Sequence, residues 1–128
     1  MKAELLSPVG DWETLAAAIK AGADAVYFGI EWINMRAASA RNFKITELKK
    51  LMEEIHKNKV KGYLTLNTLI FNHELDKARR ILSEVKKAKV DAVIVTDTAI
   101  LNLCKEMNIE AHISTQLSVS NYEAVKFF

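Results

Sequence analysis

The sequence predicts an α/β fold: the first half of a TIM-like parallel βα barrel, carried as a single partial domain over residues 1–128. Three observations lead there. Short apolar runs alternate with segments of helical period, as they do in consecutive βα units. There are about five such units, whereas a complete βα barrel occupies about 250 residues. Two of the strands carry one polar face each, which suits the wall of a lumen better than a sheet covered on both sides. A flavodoxin-like open sheet, which five units would also fill, is the alternative.

The elements follow in order. Glu4 to Val9 reads as the first strand, interrupted by Pro8 and Gly10. Asp11 is placed to cap a helix through Leu15, Ala18 and Ile19, which stops at Gly22. Asp24 to Gly29 is the second strand, and an irregular connection from Ile30 to Phe43 carries Arg36, Arg41 and Asn42. A second helix from about Thr46 to Asn58 aligns Leu48, Leu51, Met52 and Ile55 on one face. Val60 to Leu66 is the third strand, and a polar turn from Asn67 to Asn72 follows it. The third helix uses Leu75, Ala78, Leu82 and Val85. Ala92 to Val95 is the fourth strand, and Asp97 can cap a helix through Ile100, Leu103 and Met107. Ile109 to Ser114 is the fifth strand. Ser120 and Glu123 have capping-box spacing, so a fifth, short helix is expected to begin there.

Alternation sets the strand faces. Tyr63, Thr65 and Asn67 share one side of the third strand, opposite Leu64 and Leu66. Glu110, His112, Ser114 and Gln116 share one side of the fifth, opposite Ala111 and Ile113. A weak repeat relates residues 21–26 (AGADAV) to residues 88–93 (AKVDAV), each where a helix hands over to a strand. Helix stops and buried strands have few sequence solutions, and that alone accounts for the repeat.

Composition narrows the function. With 50% hydrophobic and 27% charged residues the chain is an ordinary globular one. A formal charge of +2 is too small to argue for nucleic acid or a membrane surface. No stretch approaches the roughly 18 apolar residues of a membrane span, and no signal peptide is evident. Cys104 is the single cysteine, which points to a reducing, cytoplasmic setting. His56, His73 and His112 lack metal-ligand spacing, so no metal site is expected. His112 can face the lumen, but a hydrogen-bonded core histidine is the expected state. His112 and Ser114 do not make a triad without a third orienting group, and no catalytic residue can be named.

The strand ends, where ligands bind in both architectures, read Ser7-Pro8-Val9-Gly10, Tyr27-Phe28-Gly29, Thr65-Leu66-Asn67, Val95-Thr96-Asp97 and Ser114-Thr115-Gln116. Together with Gly22 to Tyr27, and with Arg36 and Arg41-Asn42-Phe43, this series resembles the U-32 (collagenase-like) peptidase family over essentially the whole chain. The resemblance implies a βα-barrel N-terminal region and a catalytic role. It also implies more than one reaction: collagenase-like proteolysis, or oxygen-independent hydroxylation of RNA bases or of a quinone precursor. Several members carry an iron–sulfur cluster on four cysteines downstream of the matched region. With Cys104 alone, this chain is expected to hold no cofactor itself.

Candidate substrate-binding residues are Arg36, Asn42, Asn67, Asp97, Ser114, Thr115 and Gln116. Their amide, carboxylate, hydroxyl and guanidinium groups suit the orientation of a polar ligand. Asp97 serves equally well as a helix cap and Asn67 as a turn residue. Arg36 would meet an anionic group, whereas Arg41 is read as a surface residue. The basic pairs Arg79-Arg80 and Lys86-Lys87 read as solvated helix faces. The expected partners are a second copy of the chain or a missing C-terminal half, with an RNA or peptide substrate. The second functional class is a non-catalytic binding or assembly module that oligomerises to cover its sheet.

Overall fold

The computed structural model of the protein describes residues 3–31 and 42–128. Five strands, β1 (Leu6–Pro8), β2 (Ala25–Phe28), β3 (Lys61–Leu66), β4 (Ala92–Val95) and β5 (Ala111–Ile113), alternate with α1 (Trp12–Lys20), α2 (Leu48–Lys57), α3 (Leu75–Lys87) and α4 (Thr98–Glu106). A short α5 (Tyr122–Phe127) follows β5. All four strand pairings are parallel, and the sheet order is β1-β2-β3-β4-β5. A flavodoxin-like sheet reverses direction after its first strand. This one does not.

Sequential order with right-handed crossovers puts every helix on the same side of the sheet. The core agrees. Val26, Phe28, Leu64, Leu66, Val93 and Val95 are buried against the apolar faces of the helices, including Leu15, Leu51, Ile55, Leu82 and Ile100. The opposite face holds a separate small cluster of Ala25, Tyr63 and Ala92 with Tyr27 and Ile94, to which no helix contributes. Gly62 allows α2 to approach β3 closely: a Cβ there would stand 2.7 Å from Met52 Sδ.

The first four helices end in the same way. The residue after each C-cap is left-handed: Gly22 at φ +85°, Lys59 at +59°, Lys89 at +58° and Asn108 at +53°. The next amide then reaches back five residues, as in Ala23 N to Ala18 O at 3.1 Å and Ile109 N to Cys104 O at 2.8 Å. Ala23, Val60, Val90 and Ile109 thereby turn into the core. The repeat seen in the sequence is this device, followed by an aspartate. Asp24 Oδ2 accepts the Leu5 amide at 2.8 Å, and Asp91 Oδ2 accepts the Gly62 amide at 2.7 Å. In both cases the carboxylate fastens the start of one strand to the start of its neighbour.

Two local expectations are corrected. The Ser120–Glu123 capping box does not form, because Asn121 adopts the extended cap conformation and accepts the Ala124 amide at 3.0 Å. Asn caps as well as Ser does, and Glu123 pairs with Lys126 at 3.1 Å instead. The fifth strand is shorter than expected. Ser114 leaves it to cap a 3-10 turn over Thr115–Leu117, so Gln116 is not on the strand.

Candidate functional site

The sheet curves enough that residues of both edge strands line one cleft of about 780 Å³ on the face opposite the described helices. Leu6 and Pro8 come from β1, Tyr27 from β2, Tyr63 and Thr65 from β3, Ile94 from β4, and His112 from β5. The register explains the set: Pro8, Tyr27 and Tyr63 are in line, as are Thr65, Ile94 and His112. Asn42, Asn67, Ser114, Thr115 and Gln116 stand at the carboxyl ends of the strands and close the same cleft.

Several of these groups are held from below. Phe43 fixes the position of Asn42: its N–H donates to Gly29 O at 3.2 Å, its carbonyl accepts from Glu31, and its ring meets Trp12 and Phe28 edge to face. Trp12 is itself anchored by a hydrogen bond to Glu47 Oε1 at 3.2 Å. Thr65 Oγ1 donates to Phe28 O at 3.0 Å. Thr96 Oγ1 donates to Gln116 Oε1 at 2.7 Å, joining the end of β4 to the turn after β5. Ser114 is buried and receives the Gln116 amide at 3.4 Å.

The seven residues expected at the site separate into three groups. Asn42, Asn67, Ser114, Thr115 and Gln116 meet in the cleft. Asp97 does not line it. Its Oδ1 caps α4 through Ala99 N at 2.7 Å, and its Oδ2 accepts Ile70 N at 3.0 Å, tying down the loop after β3. Arg36, with Arg41, lies outside the described residues. Tyr27, Tyr63 and His112 line the cleft without having been singled out as binding residues. Period-two alternation on β2, β3 and β5 is the signal that places them there.

His112 is a half-buried cleft residue, not the hydrogen-bonded core histidine expected from sequence. Its ring meets that of Tyr63 at 4.8 Å and 72°. The Tyr63 hydroxyl donates to Glu4 Oε1 at 2.8 Å, and Lys61 Nζ reaches Glu4 Oε2 at 3.1 Å. These bonds, Tyr63 first, hold the Glu4 carboxyl below its ordinary value. Burial, helped by the carboxylate, pushes the Tyr63 phenol up to about 12, so it stays protonated.

The cleft is close to neutral: no carboxylate, lysine or arginine is among the described residues that line it. Among the described residues no hydroxyl or thiol hydrogen-bonds a histidine, and His56 pairs instead with Asp91 at 2.9 Å. Cys104 is buried in the core with its thiol pushed up to about 11, and is neither a nucleophile nor a cluster ligand as it stands. A four-cysteine iron–sulfur cluster does not fit a chain with this one cysteine. Among the described residues no three His, Cys, Asp or Glu side chains converge for a metal, and no helix is long and apolar enough to cross a membrane.

Residues 10–128 match the model of peptidase family U32. A collagenase of Porphyromonas gingivalis is 46% identical over 98% of this chain and 30% of its own length. A tRNA hydroxylation protein of Bacillus subtilis is 38% identical over 99% of the chain and 30% of its length. A 23S rRNA 5-hydroxycytidine synthase of Escherichia coli is 37% identical over 97% of the chain and 18% of its length. The chain therefore spans less than a third of the curated relatives it matches.

Proposed function

The chain belongs to peptidase family U32, and from that membership we propose that its cleft is the substrate-orienting wall of an enzyme acting on RNA bases. The observation that carries this reading is the neutral cleft itself, where tyrosine rings meet three carboxamides. A planar base offers a π-face to the half-buried Tyr27 ring, and donor and acceptor edges to groups such as Gln116, Asn67 and Asn42. Relatives named for tRNA and rRNA hydroxylation support it further.

In this proposal the five units are the first half of a βα barrel in the cytoplasm. The sequential strand order, and an inner face to whose cluster no described helix contributes, support that reading. Further sequence or a partner chain covers the inner face, and the reacting groups lie outside this chain, as does any iron–sulfur cluster.

Binding tests the reading directly. Cytidine, uridine, adenosine and guanosine are titrated separately into the intact protein, with a collagen-like peptide as the competing substrate class. At least one nucleoside should saturate, and Gln116→Ala should weaken it about tenfold, the loss of one hydrogen bond to the base. Saturation by the peptide alone would favour proteolysis.

A further inference from the structure

The proposed base-binding cleft contains one imidazole, and its setting separates it from the other two histidines of the chain. His56 is engaged with Asp91 at 2.9 Å, and His73 stacks on Phe71 at the surface. His112 is half-buried, yet its ring nitrogens make no hydrogen bond among the described residues and are not sealed from solvent. A half-buried imidazole on the cleft wall, with no hydrogen-bond partner among the described residues, is free to hydrogen-bond what enters the cleft. Its ring plane is set by Tyr63. Tyr63 in turn cannot swing, because it is 5% exposed and its hydroxyl is fastened to Glu4, which Lys61 holds from the other side. This chain of contacts crosses the floor of the cleft from ahead of β1 to β5.

We infer that His112 is a specificity-determining contact, whose ring nitrogen hydrogen-bonds the edge of the bound base, and that Tyr63 is its positioning residue. The inference rests on the base-binding reading of the same cleft. An imidazole nitrogen can donate or accept, so it complements a heterocycle edge where the hydroxyls and carboxamides already present leave an atom unmatched. A base lacking the matched atom leaves the imidazole unpaired, which is how a hydrogen-bonding site discriminates.

The test uses the intact protein with 15N-labelled histidine and the same four nucleosides. Addition of the saturating nucleoside should shift the ring nitrogens of His112 and leave those of His56 and His73 unmoved. His112→Phe keeps a ring against Tyr63 and removes the nitrogens; it should weaken binding about tenfold. His112→Asn should restore part of that loss, and it replaces the Phe variant if the latter does not fold. Tyr63→Phe should move the His112 ring signals before any ligand is added, which a purely structural tyrosine on another wall would not do. If Gln116→Ala weakens binding while His112→Phe and His112→Asn leave it unchanged, the inference falls and the base-binding reading stands. If no nucleoside saturates, both fall.

Discussion

Asp91 accepts the amide of Gly62 at 2.7 Å, joining the start of β4 to the start of β3 across the bottom of the sheet. The same oxygen faces His56 Nε2 at 2.9 Å, so the end of α2 is gathered into the joint. A carboxylate that takes a backbone N–H does more for stability than an exposed ion pair. Asp91→Ala should therefore cost about 1–3 kcal/mol, and His56→Ala less than about 1 kcal/mol, read from urea unfolding. Equal losses would mean that the imidazole, not the amide, is the main partner.

Lys59 and Lys89 occupy left-handed positions that glycine fills at the end of α1. Such a conformation costs a side-chain-bearing residue about 1–2 kcal/mol, part of which glycine returns through the entropy of the unfolded chain. Lys89→Gly should raise stability by about 0.5–1 kcal/mol, seen as a higher thermal midpoint. Gly22→Ala should lower it, although a Cβ there meets no atom within 4 Å.

Asp97 joins two segments with two oxygens. Asp97→Ala should speed hydrogen exchange at both Ile70 and Ala99, whose amides it holds. The expected loss is about 1–3 kcal/mol, with both amides losing protection together. Loss at Ala99 alone would reduce Asp97 to a helix cap.

Alkaline pH should destabilise the fold in a defined window. Burial raises Cys104 from 9.0 to about 11 and, with Glu4, Tyr63 from 10.0 to about 12. The unfolded chain gives up these protons first, so it binds fewer protons than the native state between about pH 9 and 12, and stability falls as pH rises through that range. Tyr63→Phe should flatten the upper part of the profile. Glu4 works in the opposite direction: its lowered value contributes stability at neutral pH that disappears in acid. Native Cys104 should resist alkylation at pH 8 until the protein is unfolded.

The sequence made some features legible and hid others for physical reasons. Alternation along β3 identified the face bearing Tyr63, Thr65 and Asn67, because a strand has only two sides. Gly22 announced its turn. Lys59, Lys89 and Asn108 did not, since nothing in a lysine signals a left-handed backbone. The 3-10 turn at Thr115 was hidden because Ser114 reads equally well as the last residue of a strand or the cap of a turn. The double attachment of Asp97 depends on Ile70, 27 positions away, and no local pattern reports that. His112 was assigned to the core because its edge contact with Tyr63 spans two strands.

The sequential sheet also bears on how the chain can be made. Paired strand residues are separated by only 18 to 36 positions, and every strand after the first pairs with the one that precedes it. Among the described strands, none after β1 waits for a distant partner. As the polypeptide leaves the ribosome, each completed βα unit has its docking edge already formed, so folding can keep pace with translation. The growing hydrogen-bonding edge moves forward with the newest strand, while the outer edge of β1 stays open throughout.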